Sequence, residues 1–488
     1  MSKQLEQSSA KFDPIYLHFI VIALLMFALP QLSAPAPITP LGMKLAGVFF
    51  GLLYGWSTCG MFWPSLMGLI SIGLSGLYPT VSGAVAAGIG NENVIFCILI
   101  FTMIELLNDC GLVQLLTNFL LTRKSIQGKV WRLVIALLAV SFALSAVGQA
   151  FAAMFLVWEM WYAIFAQVGY KPGDKFATLM IIATVMVMCG GGILLPFTNV
   201  PYVILSAYAS IGQESINFAK YLIFVIPVII LMFAEVVLLI KYVFRPDISR
   251  LQNVDMSKLI KSSSLKMNKR QKIVLIYFVT LLILLFLPGI LPKSWFLSQF
   301  LSSLGNAGIC IIMIIAMTLT KAEGKPIFNF SEIARKAVSW DIFFFLAVIM
   351  MIAGAIANPA TGISDFLKIF LQPLLSISSP YLFTVIFVAV AFTLTNFMNN
   401  MVVGILFLPI IVVAGQTLNV SSWALVALII AAVNFSVLTP AAAPVAGILY
   451  ANKEWINYRR DFKYVFVVFL AWGLTLLTIG VAMANLAF

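Results

Sequence analysis

The sequence predicts an all-α polytopic membrane protein with about 11 transmembrane helices and two re-entrant hairpins. The chain has 488 residues, of which 62% are hydrophobic and 9% are charged, and its mean hydropathy is +1.08. The apolar residues form repeated runs of about 17–25 residues, the length that crosses a bilayer as a helix. One compact soluble domain could not hide this much apolar surface from water, so the bilayer is the expected partner.

The composition excludes several classes of site. The single histidine is His18, and the five cysteines show no CxxC or Cys/His spacing, which leaves no basis for a bound metal, a cofactor or a redox centre. The net charge of +12 does not indicate nucleic acid, because nine basic residues and only two acids lie within 241–272. Such a segment is typical of a cytoplasmic loop that follows the positive-inside rule.

The charge clusters set the expected topology of the first half. The N-terminus is expected inside, with a retained first helix and no cleaved signal. The run 133–167 is expected to enter and return as a hairpin, because a single crossing would place every later basic loop outside. The predicted spans of this half are 15–33, 41–58, 60–79, 93–121, 176–210 and 220–240.

The second half repeats this plan from the other side of the membrane. A hairpin over 381–416 is expected to open outward, the short basic segment after 450 returns the chain inside, and the last helix ends outside. The predicted spans of this half are 273–290, 299–320, 340–372, 421–450 and 464–487.

The two halves are also alike in sequence. The apolar stretches 94–112 and 341–363 each end beside a glycine, and 37 residues separate Gly111 from Gly148 and Gly362 from Asn399. Because the two hairpins open to opposite sides, this likeness predicts an inverted repeat, an architecture of many secondary transporters. Substrates of such proteins bind near the bilayer midplane, where the repeats meet.

Four stretches have the composition of non-helical backbone at membrane depth, two in each half: "LSAVGQA" (144–150), "CGGGILLPFTNVP" (189–201), "LTNFMNN" (394–400) and "VLTPAAAPVAG" (437–447). Proline and glycine interrupt helices and free backbone groups, which is tolerated only where protein or a water-filled cavity satisfies them. Freed carbonyls suit a small cation, and half-helix N-termini suit a carboxylate.

Polar and acidic residues inside apolar runs are the other candidates for function. Asn396, Asn399 and Asn400 lie at the second hairpin turn, where they could bind a ligand or only bond neighbouring helices. Glu105 and Glu159 are candidate proton-coupling groups, and Glu235 is a third acid in an apolar run; an interfacial or interhelically bonded acid is the alternative for each.

The chain resembles the divalent anion:sodium symporter family over nearly its whole length. "FSEIARKAVSWDIFFFLAVIMMIAGAI" is similar to that family's amphipathic helix and Trp-led span, "LTNFMNNMVVGILFLPI" to its second-hairpin motif, and "LTPAAAPVAGILY" to the turn that follows. The resemblance implies an elevator-type transporter that is a homodimer in the plasma (inner) membrane. It also implies a small organic anion as substrate, with sodium as a candidate coupling ion.

The resemblance also implies which residues form the site. The predicted substrate-binding residues are Asn399, Asn400, Gln149, Gly148, Thr198, Asn199, Ala443 and Pro444. The predicted cation-binding residues are Thr395, Asn400 and Ala442. Both motif threonines of the family are absent, and the first hairpin turn keeps only Ser145 and Gln149, which predicts an asymmetric site.

The function expected from the sequence is secondary active transport of di- or monocarboxylates, sodium-coupled or by anion exchange, and not an enzymatic activity. A cation/proton antiporter on the same scaffold and a twelve-helix facilitator are the alternatives. The expected domains are scaffold helices at 1–132, 211–380 and 451–488, and transport-domain halves at 133–210 and 381–450. The N-terminus is expected in the cytoplasm and the C-terminus outside it.

Overall fold

The structure is a computed structural model that describes residues 14–112, 115, 129–148, 150–212, 217–253, 266–375, 379–418, 420–440 and 442–488. Within these ranges the regular structure is helical except for one short ribbon of two antiparallel strands. In this ribbon β1 (Lys321–Ala322) pairs with β2 (Lys325–Pro326). The predicted all-α class is confirmed.

The described residues contain 21 α-helices. In the first part of the chain they are α1 (Pro14–Ala23), α2 (Pro40–Thr58), α3 (Phe62–Ser75), α4 (Val81–Ile89), α5 (Glu92–Asp109), α6 (Val130–Ala146), α7 (Ala150–Val168), α8 (Lys175–Gly191), α9 (Asn199–Gly212) and α10 (Phe218–Leu238). The later helices are α11 (Lys269–Ile290), α12 (Phe296–Leu319), α13 (Phe330–Ala337), α14 (Trp340–Ala357), α15 (Ile363–Leu375), α16 (Pro380–Leu394), α17 (Asn400–Leu418), α18 (Ser422–Val433), α19 (Pro444–Ala451), α20 (Tyr458–Thr475) and α21 (Val481–Ala487).

The chain divides into two compact units. The first consists of the described part of Met1–Ile89 together with Trp340–Phe366. In this unit the rings of Trp56 and Phe345 lie 4.4 Å apart, and the Thr39 hydroxyl donates to the carbonyl of Ala360 at 2.8 Å. The second unit consists of the described parts of Gly90–Ser339 and Leu367–Phe488, and it contains both predicted hairpins.

The core of the second unit lies around two helices that are apolar on all sides. Every residue of α8 from Phe176 to Gly191 is buried, and so is every residue of α18 from Ala424 to Val433. A helix that is hydrophobic all round needs apolar neighbours on every face. Each of these two helices ends where the sequence predicts an interruption, so the core carries the candidate site.

Both predicted hairpins are present as pairs of helices. The first joins α6 to α7 at a turn in which Gly148 has a φ of +77°, a value that glycine adopts without steric cost. The second joins α16 to α17 through residues 395–399. The hairpin arms are therefore placed as the hydrophobic pattern predicts.

Three segments differ from the sequence-based expectation. Short helix α4 was not expected, and α12 breaks at Gly305, whose φ of 64° and ψ of 175° are not helical. The predicted span 340–372 is wrong, because α14 ends at Ala357. There Pro359 lacks a backbone N–H, and Gly362 takes a φ of +67°.

Five helices in the described part of the chain are long and apolar enough to cross a membrane, or up to seven if each of two bent helix pairs is one span. Seven further apolar helices, among them both arms of the first hairpin, have only 10–17 residues in their apolar part. A helix of that length is at or below the lower limit for crossing the hydrocarbon layer. The protein is a multi-pass membrane protein, and about 11 spans stays a prediction.

A polar junction ties the end of the first hairpin to the start of the basic loop. The Tyr170 hydroxyl donates to the backbone carbonyl of Asp247 at 2.7 Å, and Arg250 donates to the carbonyl of Gly169 at 2.9 Å. Burial, with a smaller contribution from the Asp247 carboxylate, raises the pKa of Tyr170 to about 12. The phenol is therefore a neutral donor at physiological pH.

Candidate functional site

The second hairpin turn is fixed by a threonine that faces the end of α18. The Thr395 hydroxyl donates to the backbone carbonyl of Val433 at 2.8 Å, and the side chain is fully buried. A hydroxyl that has used its proton in this way keeps two lone pairs on the oxygen. Thr395 can therefore present an oxygen to a cation.

Asn396 joins the same turn to the interruption after α18. Its side-chain nitrogen donates to the carbonyl of Phe392 at 2.8 Å, and its side-chain oxygen accepts from the N–H groups of Val437 and Leu438 at 3.0 and 2.9 Å. The Thr439 hydroxyl donates to the backbone carbonyl of Asn396 at 2.5 Å. Asn396 thus satisfies buried backbone groups rather than a ligand.

Asn399 and Asn400 are half-buried where the turn ends and α17 begins. Both side-chain oxygens accept from the N–H of Met401, at 3.0 and 2.9 Å. Neither side-chain nitrogen has a hydrogen-bond partner in the part of the chain that the structure describes. Two amide donors are therefore open to a ligand at the start of a helix, where the helix dipole also favours an anion.

The interruption between α18 and α19 is held open by tyrosines. The Tyr450 hydroxyl donates to the carbonyl of Val437 at 2.8 Å, and the Tyr458 hydroxyl donates to that of Leu438 at 3.4 Å. Ala442 is fully buried, Ala443 is extended, and α19 begins at Pro444. The predicted proline interruption is present, and it places non-helical backbone beside the second hairpin turn.

The first hairpin turn faces the end of α8 in a corresponding way. The Ser145 hydroxyl donates to the carbonyl of Met188 at 2.7 Å, as Thr395 does to Val433 in the other half. A Cβ added to Gly191 would collide with the backbone carbonyl of Phe142. Glycine is therefore needed where α6 and α8 touch.

The interruption between α8 and α9 contains the predicted Thr198 and Asn199. The Thr198 hydroxyl donates to the carbonyls of Gly192 and Leu195 at 2.8 and 2.9 Å, so its proton is used inside the loop. The Tyr221 hydroxyl donates to the carbonyl of Ile193 at 2.7 Å. Asn199 is exposed at the first position of α9.

One residue that the sequence analysis missed connects the two halves. The side-chain nitrogen of Asn434, at the C-terminus of α18, donates to the carbonyl of Cys189 at 2.5 Å. A Cβ on Gly192 would lie 3.2 Å from the same nitrogen. The only sequence signal was an amide three residues before the stretch "VLTPAAAPVAG". The two interruptions meet at this hydrogen bond.

Other predicted residues lie apart from this cluster or outside the described residues. The nearest neighbour of a Cβ on Gly148 would be the Ile104 side chain at 3.8 Å, and Gln149 lies outside the described residues. Among the contacts of the described residues, no hydrogen bond joins Asn399 or Asn400 to the segment 442–444. The assignments of Ala442, Ala443 and Pro444 remain predictions.

The three acids differ in their surroundings. Glu105 is half-buried on α5 and accepts from the Asn108 side chain at 3.3 Å, whereas Glu159 is exposed on α7. Glu235 on α10 accepts from the Thr475 hydroxyl, and its second carboxylate oxygen is buried with no partner among the described residues. Of the three, Glu235 is the one with a buried, unpartnered carboxylate oxygen among the described residues.

The cluster itself carries no charge. The segments 145–148, 188–199, 395–401 and 433–444 contain no acidic, basic or histidine residue. In the described part of the chain, no group of three His, Cys, Asp or Glu residues could hold a metal ion. An anion bound here would depend on amides, hydroxyls and helix N-termini, and a cation would depend on neutral oxygens.

Comparisons with known proteins identify what this arrangement is similar to. The sequence profile of the citrate transporter family matches residues 12–433. The sodium-dependent dicarboxylate transporter SdcS of Staphylococcus saprophyticus is 24% identical over 316 residues, which are 61% of this chain and 59% of the relative. The chain thus spans less than two thirds of the length of this curated relative.

Two solved structures share the fold. The YdaH transporter of Alcanivorax borkumensis aligns over 97% of this chain and 98% of its own, with a TM-score of 0.52 and 16% identity. MtrF of Neisseria gonorrhoeae aligns over 98% of this chain and 95% of its own, with a TM-score of 0.54 and 14% identity. Identities this low show a common fold and nothing about the ligand.

Proposed function

We propose, since the chain belongs to the citrate transporter family, that it is a secondary active carrier of small organic anions. The family is one of transporters, so the protein is a transporter and not an enzyme. The substrate class that we propose is di- or monocarboxylates. The observation that carries this proposal is the uncharged cluster in which two hairpin turns lie against two interrupted helices.

The open amide nitrogens of Asn399 and Asn400 would bind the substrate carboxylate. An amide N–H at a helix N-terminus stabilises an anion without bringing a full charge into the membrane, where charges are costly. The Thr395 hydroxyl oxygen and backbone carbonyls near Ala442 would bind the coupling cation. Substrate and cation would then be close enough to neutralise each other.

Sodium is the coupling ion that we favour, because a relative with 24% identity is named a sodium-dependent dicarboxylate transporter. Neutral oxygens are ligands that suit a hard monovalent cation. Exchange for a counter-anion is the other coupling consistent with a weakened first-half site. In that case transport would not require a cation bound to the oxygens of Thr395 and Ala442.

The transport mechanism that we propose is an elevator movement in a homodimer in the plasma (inner) membrane. The moving domain would contain 133–210 and 381–450, and the scaffold would contain 1–132, 211–380 and 451–488. Three of the four hairpin arms have only 15–17 residues in their apolar part, at or below the lower limit for crossing a bilayer, which supports this division; the fourth arm, α17, has 19.

A cation/proton antiporter on the same scaffold is a second candidate, which the buried carboxyl of Glu235 favours. Such a protein would need an intramembrane acid and no organic substrate. Glu105 and Glu159 are the other candidate proton-coupling groups. Uptake of a labelled carboxylate separates the two functions.

The test is uptake of radiolabelled succinate, citrate and lactate into proteoliposomes, with and without an inward sodium gradient. The Asn400→Ala variant should lose at least about 90% of the uptake, because it removes an open amide donor and a cation ligand. Thr417→Ala, at the far end of α17, is the matched control, since its hydroxyl bonds only the Val413 carbonyl. Equal loss in both variants, or none in Asn400→Ala, would remove the site assignment.

A further inference from the structure

A second polar cavity lies in the second unit, away from the hairpin turns. Its volume is about 990 Å³, and it is formed by the first turns of α5, α10 and α18, the ends of α9 and α11, and the first half of α12. No residue of 145–148, 188–199, 395–401 or 433–444 lines it. The predicted topology places all these helix ends on the extracytoplasmic side.

Two lysines without partners line this cavity. The ammonium groups of Lys220 and Lys293 make no ion pair or hydrogen bond with any residue that the structure describes. Arg270 and Lys336 of the same unit, in contrast, both pair with Asp109, at 2.9 and 3.0 Å. Two unpaired cations beside one cavity create a local positive potential that attracts anions.

A buried hydroxyl adds a hydrogen-bond donor to the same wall. Ser298 is only 2% exposed, it lines the cavity, and its hydroxyl has no partner among the described residues. Its oxygen is not among the fully buried polar atoms of the described residues that lack a partner, so the hydroxyl reaches the open space of the cavity. Ser298 can donate to a carboxylate that enters beside the lysines.

The break in α12 faces the cavity as well. Gly305 interrupts the helix with a φ of 64°, so a new helix begins at Asn306, and both residues line the cavity. A Cβ at Gly305 would collide with the Glu92 carboxylate, the only acid among the described lining residues. Among the lining side chains the two lysines outweigh Glu92, so these side chains together have a formal charge of +1.

We propose that this cavity is a second anion site, which captures a dicarboxylate on Lys220, Lys293 and Ser298 before the anion reaches the hairpin site. The inference rests on the proposed function, and it narrows the substrate class. Two separate ammonium groups favour an anion with two or more carboxylates over a monocarboxylate. The capture site raises the rate of encounter and leaves the translocation step unchanged.

Binding can be measured without transport, because Trp423 lines the cavity and reports quenching by small solutes. The Trp423 signal is the difference between the protein and its Trp423→Phe variant, both in nanodiscs of neutral lipid. Quenching of Trp423 by iodide should fall about threefold in Lys220→Met/Lys293→Met, and quenching by uncharged acrylamide should not change. Lys325→Met, which removes an exposed charge in β2, is the control and should behave as the unmodified protein.

Succinate and citrate should protect Trp423 from iodide at concentrations about tenfold lower than lactate, and Ser298→Ala should weaken this protection. Equal protection by lactate, or no protection by any carboxylate, would overturn the proposal. If anionic lipid protected Trp423 from iodide and succinate had no effect, the site would belong to lipid headgroups. This result would also overturn the proposal.

Transport supplies the second readout. In proteoliposomes at low salt, Lys220→Met/Lys293→Met should raise the KM for succinate about tenfold with kcat unchanged, and high salt should remove the difference. Succinate protection of Trp423 together with no carboxylate uptake would disprove the proposed function and leave the capture site standing. Uptake of succinate with an unaltered KM in Lys220→Met/Lys293→Met would disprove the capture site and leave the proposed function standing.

Discussion

At the scale of single residues, Asn396 shows that an asparagine inside an apolar bundle can be needed for structure without touching a ligand. Its side-chain oxygen is the acceptor for two buried N–H groups, those of Val437 and Leu438. The composition of this turn does not distinguish its three asparagines, and only the family resemblance selected Asn399 and Asn400 as site residues. Their roles differ because Asn396 faces the interruption after α18, whereas Asn399 and Asn400 cap α17.

Asn396→Ala should lower the free energy of unfolding by about 1–3 kcal/mol, because it leaves buried N–H groups without an acceptor. Thr393→Ala, which removes an exposed hydroxyl on α16, should lose less. Thermal unfolding in detergent checks the order of the two variants. The structural role would be wrong if Asn396→Ala unfolded at the temperature of the unmodified protein.

At the scale of helices, close contact between the first hairpin and α8 depends on a single glycine. A Cβ at Gly191 would overlap the backbone carbonyl of Phe142, which cannot move without moving α6. At the neighbouring Gly190 the nearest atoms to such a Cβ are side-chain atoms at 3.6 Å, an ordinary contact. Adjacent glycines therefore differ in what they tolerate.

Gly191→Ala should push α6 from α8 and reduce uptake strongly, whereas Gly190→Ala should leave uptake and stability close to normal. Overpacking of this kind costs about 1–3 kcal/mol. Uptake in proteoliposomes together with thermal unfolding measures both effects. Equal behaviour of the two variants would contradict the close packing of the first hairpin on α8.

The hydrophobic pattern predicted helices and hairpins well, because each arm is bounded by glycine, proline or polar residues. It failed where a break lies inside an apolar run. The segments "SSLGNAG" and "NPATG" read as parts of continuous spans, although Gly305 and Gly362 adopt positive φ there. Asn434 was missed because its partner is a backbone carbonyl, which every residue offers, so no side-chain pattern marks the contact.

At the scale of the whole molecule, the predicted topology has one hairpin that opens inward and one that opens outward, which makes the number of crossings odd. The predicted topology places the N-terminus in the cytoplasm and the C-terminus outside, whereas a twelve-helix facilitator would have both ends inside. The YdaH and MtrF structures support a common fold but do not report this chain's orientation. The position of the last residue therefore distinguishes the two topologies.

A reporter fused after Phe488 should be active as alkaline phosphatase and inactive as a green fluorescent protein, because only the former needs an extracytoplasmic location. The same reporters inserted in the basic loop 241–272 should give the opposite result. A fluorescent C-terminal fusion would disprove the two-hairpin topology and favour the facilitator.

The hydrogen bond from Asn434 to the carbonyl of Cys189 has a consequence for genetics. The donor belongs to the second half of the chain and the acceptor to the first, so damage in one half can be relieved in the other. Cells that depend on a carrier weakened by a substitution at Asn434 should regain growth on its substrate through second substitutions at 188–192, some 240 residues away in sequence.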